Sequence, residues 1–260
     1  MTVHYVYGVL PCGQDLRDLA QGPDGADVQL VVGHGLAAAV SELPADRYGE
    51  EEFRARAEDP VWLQELASAH HRVLASIALH GDVVPLRMPT LCRSRQSVLE
   101  LLDTRGDVLH HALASVSGRV EWGVKLYAEP RPAEAQKVEA ASGRDYLGQR
   151  MAQGQARDEE RLRRGDVVRA CHAALSMTAD DATVNAPQDP ALSGRREPML
   201  LNGAYLVARD VEHAFLAVLD AHAGGPCREA GILAEITGPW PPYNFSTGPL
   251  TEDRAPAGGP

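Results

Sequence analysis

Residues Gly118–Tyr127 read GRVEWGVKLY. Val120, Trp122, Val124 and Leu126 alternate with Glu121, Gly123, Lys125 and Tyr127, a period of two that predicts a strand with one buried face. Pro130 and Pro132 end it. Beyond them, a charged region from Ala133 to Met177 predicts helix. Leu147, Met151, Gly154, Leu162, Gly165 and Val168 leave a weak apolar seam among many arginines and carboxylates, as suits extended helices standing partly off the body of a domain. Ala182–Ala186 predicts a short strand, and Pro187–Pro198 a turn-rich linker. Met199–Ala208, MLLNGAYLVA, predicts a strand. Asp210 is placed to cap a helix whose Val211, Ala214, Phe215, Val218 and Leu219 share a face. Gly231–Gly238, GILAEITG, predicts the last strand. Strand, helix, strand, strand, helix, strand is the split βαβ order of a ferredoxin-like fold, here with extra helices in its first crossover.

Upstream the pattern differs. Val3–Leu10, VHYVYGVL, and Val28–Val32, VQLVV, predict strands, while Gly33–Pro44, GHGLAAAVSELP, is ambiguous. Asp59-Pro60 marks a helix start, with an N-cap oxygen followed by a residue that needs no N–H. Trp62, Leu66, Ala69, Val73 and Ile77 then fall on one helical face, and Gly81 closes the helix. Gly81–Leu102 reads GDVVPLRMPTLCRSRQSVLELL. Its prolines predict an edge strand or one that bends, and Ser94 caps a helix buried through Val98, Leu101 and Leu102. Gly106-Asp107 interrupts that helix before Val108–Val116 resumes it. The expected fold class is α+β in two domains. An N-terminal α+β domain covers 1–117, and a modified ferredoxin-like domain covers 118–238, with a long helical insertion at about 133–177. A Pro/Gly-rich tail covers 239–260.

Composition narrows the function. Acidic residues outnumber basic ones 36 to 25, a net charge of −11, which opposes a nucleic-acid footprint because phosphate binding needs a basic face. Cys12, Cys92, Cys171 and Cys227 form no CxxC pair and read as reduced thiols. No signal-like segment opens the chain and no apolar run reaches the ~18 residues of a membrane span. A cytoplasmic protein is expected.

The enzymatic motifs are weak. Gly33-x-Gly35-x-x-Ala38 after a strand fits the dinucleotide fingerprint, yet Ser41–Phe53 offers neither a second strand nor an acid at a strand end. The plainer reading is a strand that turns at its glycines. His70-His71 and His110-His111 are helical neighbours pointing ~100° apart, unable to hold one ion from one face. Cys92 reads as a small apolar residue rather than a nucleophile. Arg157, Arg161, Arg163 and Arg164 are interleaved with Asp158, Glu159 and Glu160, a self-paired solvated face. Arg87 and Arg93 read as partners of carboxylates within the fold. No catalytic residue, cofactor or metal ligand is expected.

Five blocks together carry a resemblance: HYVYGVL, GLAAAVSELP, HHRVLASIALHGDVVPLRMPTL, GRVEWGVKLY and GPWPPYNF. They resemble, in order and over nearly the whole chain, the GvpF/GvpL family of gas vesicle accessory proteins. Met88-Pro89-Thr90 departs from the Phe-Gly-Thr-like turn of many members. The resemblance implies a non-enzymatic protein associated with gas vesicles that assists their assembly, with the shell protein GvpA and other accessory proteins as partners. The competing class is a small-ligand-binding regulatory protein, since ferredoxin-like domains often bind metabolites. The tail supplies the candidate interaction or docking residues: Trp240, Pro241, Pro242, Tyr243 and Phe245. They concentrate rings and prolines in a chain that is only 5% aromatic. Exposed apolar segments are a liability, so Pro239–Phe245 is expected to dock on the protein's own body, with the residues after Thr247 loosely ordered.

Overall fold

The computed structural model describes residues 1–14, 16, 18–129, 143–188, 194–195 and 197–246. Pro130, Pro132, the start of the expected helical region, part of the 187–198 linker and the end of the tail lie outside the described residues. The chain forms two compact units, one from Met1–Glu121 and the segment that begins at Pro239, the other from Trp122–Gly238. The units part inside a strand, four residues beyond the expected boundary between Ser117 and Gly118.

The N-terminal unit is built on β1 (Thr2–Pro11), which pairs antiparallel with β3 (Leu36–Pro44) on one side and β4 (Val84–Cys92) on the other. β2 (Gln29–Gly33) completes the order β2-β3-β1-β4. Both faces of this sheet are covered, so β1 reads as a continuous apolar run rather than an alternation. Tyr5, Tyr7 and Leu10 face the long helix α3 (Pro60–Ala78), after the short helices α1 (Ala45–Tyr48) and α2 (Glu50–Arg56). Val6 and Val9 face α4 (Arg95–Thr104) and α5 (Gly106–Val116). A register shift between Val6 and Gly8 changes which residues point to which side. Gly8 is required there, because a Cβ would stand 2.7 Å from the Val84 carbonyl oxygen.

Local signals account for most of these elements. Asp59 accepts from the Val61 and Trp62 amides at 3.0 and 3.3 Å, and Trp62, Leu66, Ala69, Val73 and Ile77 are all buried. The helix ends at Ala78, and the Gly81 amide donates to the Ile77 carbonyl. Ser94 caps α4 through the Ser97 amide. Gly33-x-Gly35 is a two-residue hairpin: Gly33 pairs with Leu36, and His34 and Gly35 between them have φ of 53° and 74°. Two successive positive φ values make the turn that matches strand twist. The ambiguous GLAAAVSELP is therefore the returning strand, and the glycines serve a reversal.

The second unit runs β5 (Arg119–Ala128), α6 (Gly143–Ser176), β6 (Asp181–Val184), β7 (Met199–Ala208), α7 (Glu212–His222), a wide π turn (Ala223–Cys227) and β8 (Ile232–Trp240). Its sheet order is β6-β7-β5-β8, the split βαβ arrangement. Val120, Trp122, Val124 and Leu126 are buried as the alternation requires, but so are Glu121 and Tyr127. β5 is an inner strand, and the face expected to be open is largely covered. The Arg195 guanidinium lies 4.6 Å from the Tyr127 ring centre. Gly123 permits close pairing, since a Cβ there would meet Thr237 Oγ1 at 2.6 Å. Cys171 and Leu175 bury the C-terminal end of α6, whereas Leu147, Met151 and Leu162 are exposed.

Two local expectations for α7 are corrected. Asp210 does not cap it; the N-cap position is Val211, with no side-chain cap. Val211 and Ala214 are exposed, so the buried face narrows to Phe215 and Leu219. The chain makes a three-residue turn, 209–211, before the helix begins, so Val211 lies ahead of the helical face.

Candidate functional site: the β4 bulge and the docked tail

The strand that carries Pro85 and Pro89 departs furthest from regular pairing. Thr90 lies opposite Val6 and Pro85 opposite Gly8, so Leu86, Arg87, Met88 and Pro89 together oppose Tyr7. The segment bulges away from the sheet, and the Met88–Pro89 bond is cis. Thr90 Oγ1 donates to the Arg87 carbonyl at 2.7 Å and closes the bulge on itself.

Two recesses flank it. One, of 510 Å³, lies against α4 and α5, with Leu86, Pro89, Leu101 and Leu109 as its apolar lining and Arg87, Arg105 and Glu100 among its charged residues. The other, of 330 Å³, lies against α3 and is lined by His70, His71, Met88 and Tyr243, again with Leu86 and Arg87. The recesses thus share the Leu86-Arg87 wall.

The tail forms part of this region. Trp240 meets the His71 ring edge to face at 4.8 Å, and the Tyr243 hydroxyl lies 2.9 Å from His71 Nδ1. Pro241 and Pro242 are buried. Tyr243 packs on the core facing α3, and Phe245 on the core facing α4 and α5. The Asn244 amide and side chain donate to the two Glu121 carboxylate oxygens at 2.7 and 2.6 Å. Each of the five tail residues named from the sequence therefore contacts or is buried within the N-terminal unit.

Electrostatics follow from burial. His70 Nδ1 lies 2.9 Å from the Tyr5 hydroxyl, and desolvation, with His71 adding to it, pushes the His70 pKa down to about 4. Burial also lowers that of His71. Glu121 is raised by burial, against which the two Asn244 hydrogen bonds act. Tyr243 is raised by burial and then by the Glu121 charge. The site thus favours neutral histidines and protonated tyrosines, and its chemistry is that of packing and hydrogen bonding.

The remaining candidates lie elsewhere. Arg87 and Arg93 are exposed. Cys92 is buried in the core, which raises its thiol pKa and disfavours the thiolate a nucleophile needs. Among the described residues no group of three or more His, Cys, Asp or Glu side chains is placed to hold a metal ion. No described helix is long and apolar enough to cross a membrane. His71, Glu121 and Asn244, which hold the tail, carry no local signal in the sequence; only the crowding of rings in the tail hinted that some partner must exist.

Comparison with known proteins agrees with this architecture. The chain is 38% identical to gas vesicle protein L of Streptomyces sp. (strain CB03234), over 94% of this chain and 92% of that protein. It is 28% identical to gas vesicle protein F of the same strain, over 93% and 98%. The crystal structure of the gas vesicle protein GvpF from Anabaena sp. PCC7120 shares the fold, with a TM-score of 0.67 at 17% identity, covering 95% of this chain and 96% of that one. A family profile described as gas vesicle synthesis protein GvpL/GvpF matches residues 3–247. With that match running through both units and the docked tail, the chain belongs to the GvpL/GvpF family of gas vesicle proteins.

Proposed function

We propose that this protein is a non-enzymatic accessory factor that assists gas vesicle assembly by binding the shell protein GvpA and other gas vesicle proteins, and that it acts in the cytoplasm in association with the vesicles. The family match across residues 3–247 carries the reading. The site supports it in kind. Its histidines and tyrosines are held in their neutral forms, and its recesses are largely apolar hollows on a protein surface, suited to gripping side chains of a partner. The test is co-purification of the tagged full chain with GvpA from cells making both. GvpA is expected to elute with the tagged chain and not with a tagged control of similar charge. Equal recovery with the control would overturn the reading.

A further inference from the structure

We infer that the β4 bulge is a docking site for an acidic amphipathic helix of a partner protein, with the helix's apolar residues entering the recesses and a carboxylate meeting Arg87. The inference rests on the reading that the protein works by binding other proteins.

The form of the partner follows from the backbone. β4 is an edge strand, and an edge normally offers unpaired amides and carbonyls to an incoming strand. Here Pro85 and Pro89 have no N–H to offer, and Leu86–Pro89 leave the ladder altogether. An added strand would find no continuous template. A helix satisfies its own backbone and needs only apolar sockets, so it is the element this edge accepts.

The partner's charge follows from the lining. Of the charged side chains that line the two recesses, Arg87 and Arg105 stand against Glu100, a net +1 (2 − 1) within a chain of −11. The sign is locally inverted where the apolar recesses lie, and Arg87 stands exposed on the wall the two hollows share. Opposite charge on the partner gives register and encounter rate, and like charge is rejected.

The experiment uses the full chain and a fluorescein-labelled amphipathic peptide of about 18 residues, with leucines on one helical face and glutamates elsewhere. A matched peptide carries lysines in place of the glutamates, and binding is read by fluorescence anisotropy. The glutamate peptide is expected to bind at least about tenfold more tightly than the lysine peptide. Arg87→Glu, at an exposed position that leaves the core untouched, is expected to abolish or reverse that preference. Thr104→Trp, which fills the larger recess from its exposed rim, is expected to weaken both peptides by about tenfold. Equal binding of the two peptides, or indifference to both substitutions, overturns the inference. So does a wild-type dimer in light scattering that Arg87→Glu splits, because the occupant is then a second copy. These arms do not depend on GvpA: loss of GvpA co-purification with the peptide pattern intact would sink the proposed function and leave the docking site standing.

Discussion

Acidification places a charge on a histidine that the N-terminal unit holds neutral. His70 is 5% exposed and its pKa is lowered from 6.5 to about 4. Between those values the unfolded chain binds a proton that the folded chain does not, so stability rises with pH across that window. The contribution is fully present above 6.5 and is lost as pH falls toward 4. The gap amounts to about 3 kcal/mol at about 1.4 kcal/mol per tenfold change in proton activity. That is a large fraction of the stability of an ordinary domain. His71 titrates in the same direction, again because burial lowers its pKa. The assay is denaturant unfolding followed by tryptophan fluorescence, which Trp62 in the same core reports, at several values between neutral pH and about pH 4. The comparison is His70→Gln, which retains a hydrogen-bonding group near Tyr5 but does not titrate. Its stability is expected to depend on pH less steeply than wild type, by up to about 1.4 kcal/mol per pH unit within the window. Parallel pH profiles for the two proteins would refute the assignment of a neutral buried imidazole to this position.

Three further outcomes are expected. Trp122→Ala should cost ~3–5 kcal/mol, since the side chain is 9% exposed and its Nε1 donates to Glu212 at 3.1 Å; wild-type stability in a denaturation curve would show that the inward face is misassigned. Ending the chain at Gly238 should lower the melting temperature and weaken GvpA binding, because Trp240, Tyr243, Asn244 and Phe245 are removed, whereas ending it at Gly248 should do neither. Rapid proteolytic cleavage between Trp240 and Phe245 with an unchanged melting temperature would argue against docking. Chelator, zinc or NAD should leave the melting temperature where it is; a shift of many degrees would reveal a ligand site.

Helices and strands were legible where a single local rule governed them. Asp59-Pro60 and the spacing of Trp62, Leu66, Ala69, Val73 and Ile77 are enough to place α3, since cap chemistry and a helical face are properties of adjacent residues. The alternation from Val120 to Leu126 likewise located the buried side of β5. It could not reveal that Glu121 is buried on the other side, because the amides that satisfy its carboxylate belong to Asn244, far along the chain. The tail shows the same limit. Its rings announced that they needed cover, but His71 lies 172 residues from Tyr243, and no periodicity links the two. Asp210 failed for a smaller reason: its residue type suits a cap, and the three-residue turn after Ala208 moved the helix start past it.

The N-terminal unit is made from both ends of the chain, and this orders events during biosynthesis. Translation delivers Met1–Glu121 first, then the whole of Trp122–Gly238, and only then the strip from Pro239 that supplies Tyr243, Asn244 and Phe245. The earlier-made unit is therefore the later one to be completed. Until the ribosome has passed Asn244, Glu121 lacks the amides that donate to its carboxylate, and His71 lacks the rings of Trp240 and Tyr243. A chain cut short by premature termination before Pro239 retains every residue of the second unit, yet its first unit stays unfinished. The fold thereby makes integrity of the first unit a readout of whether translation has passed Phe245.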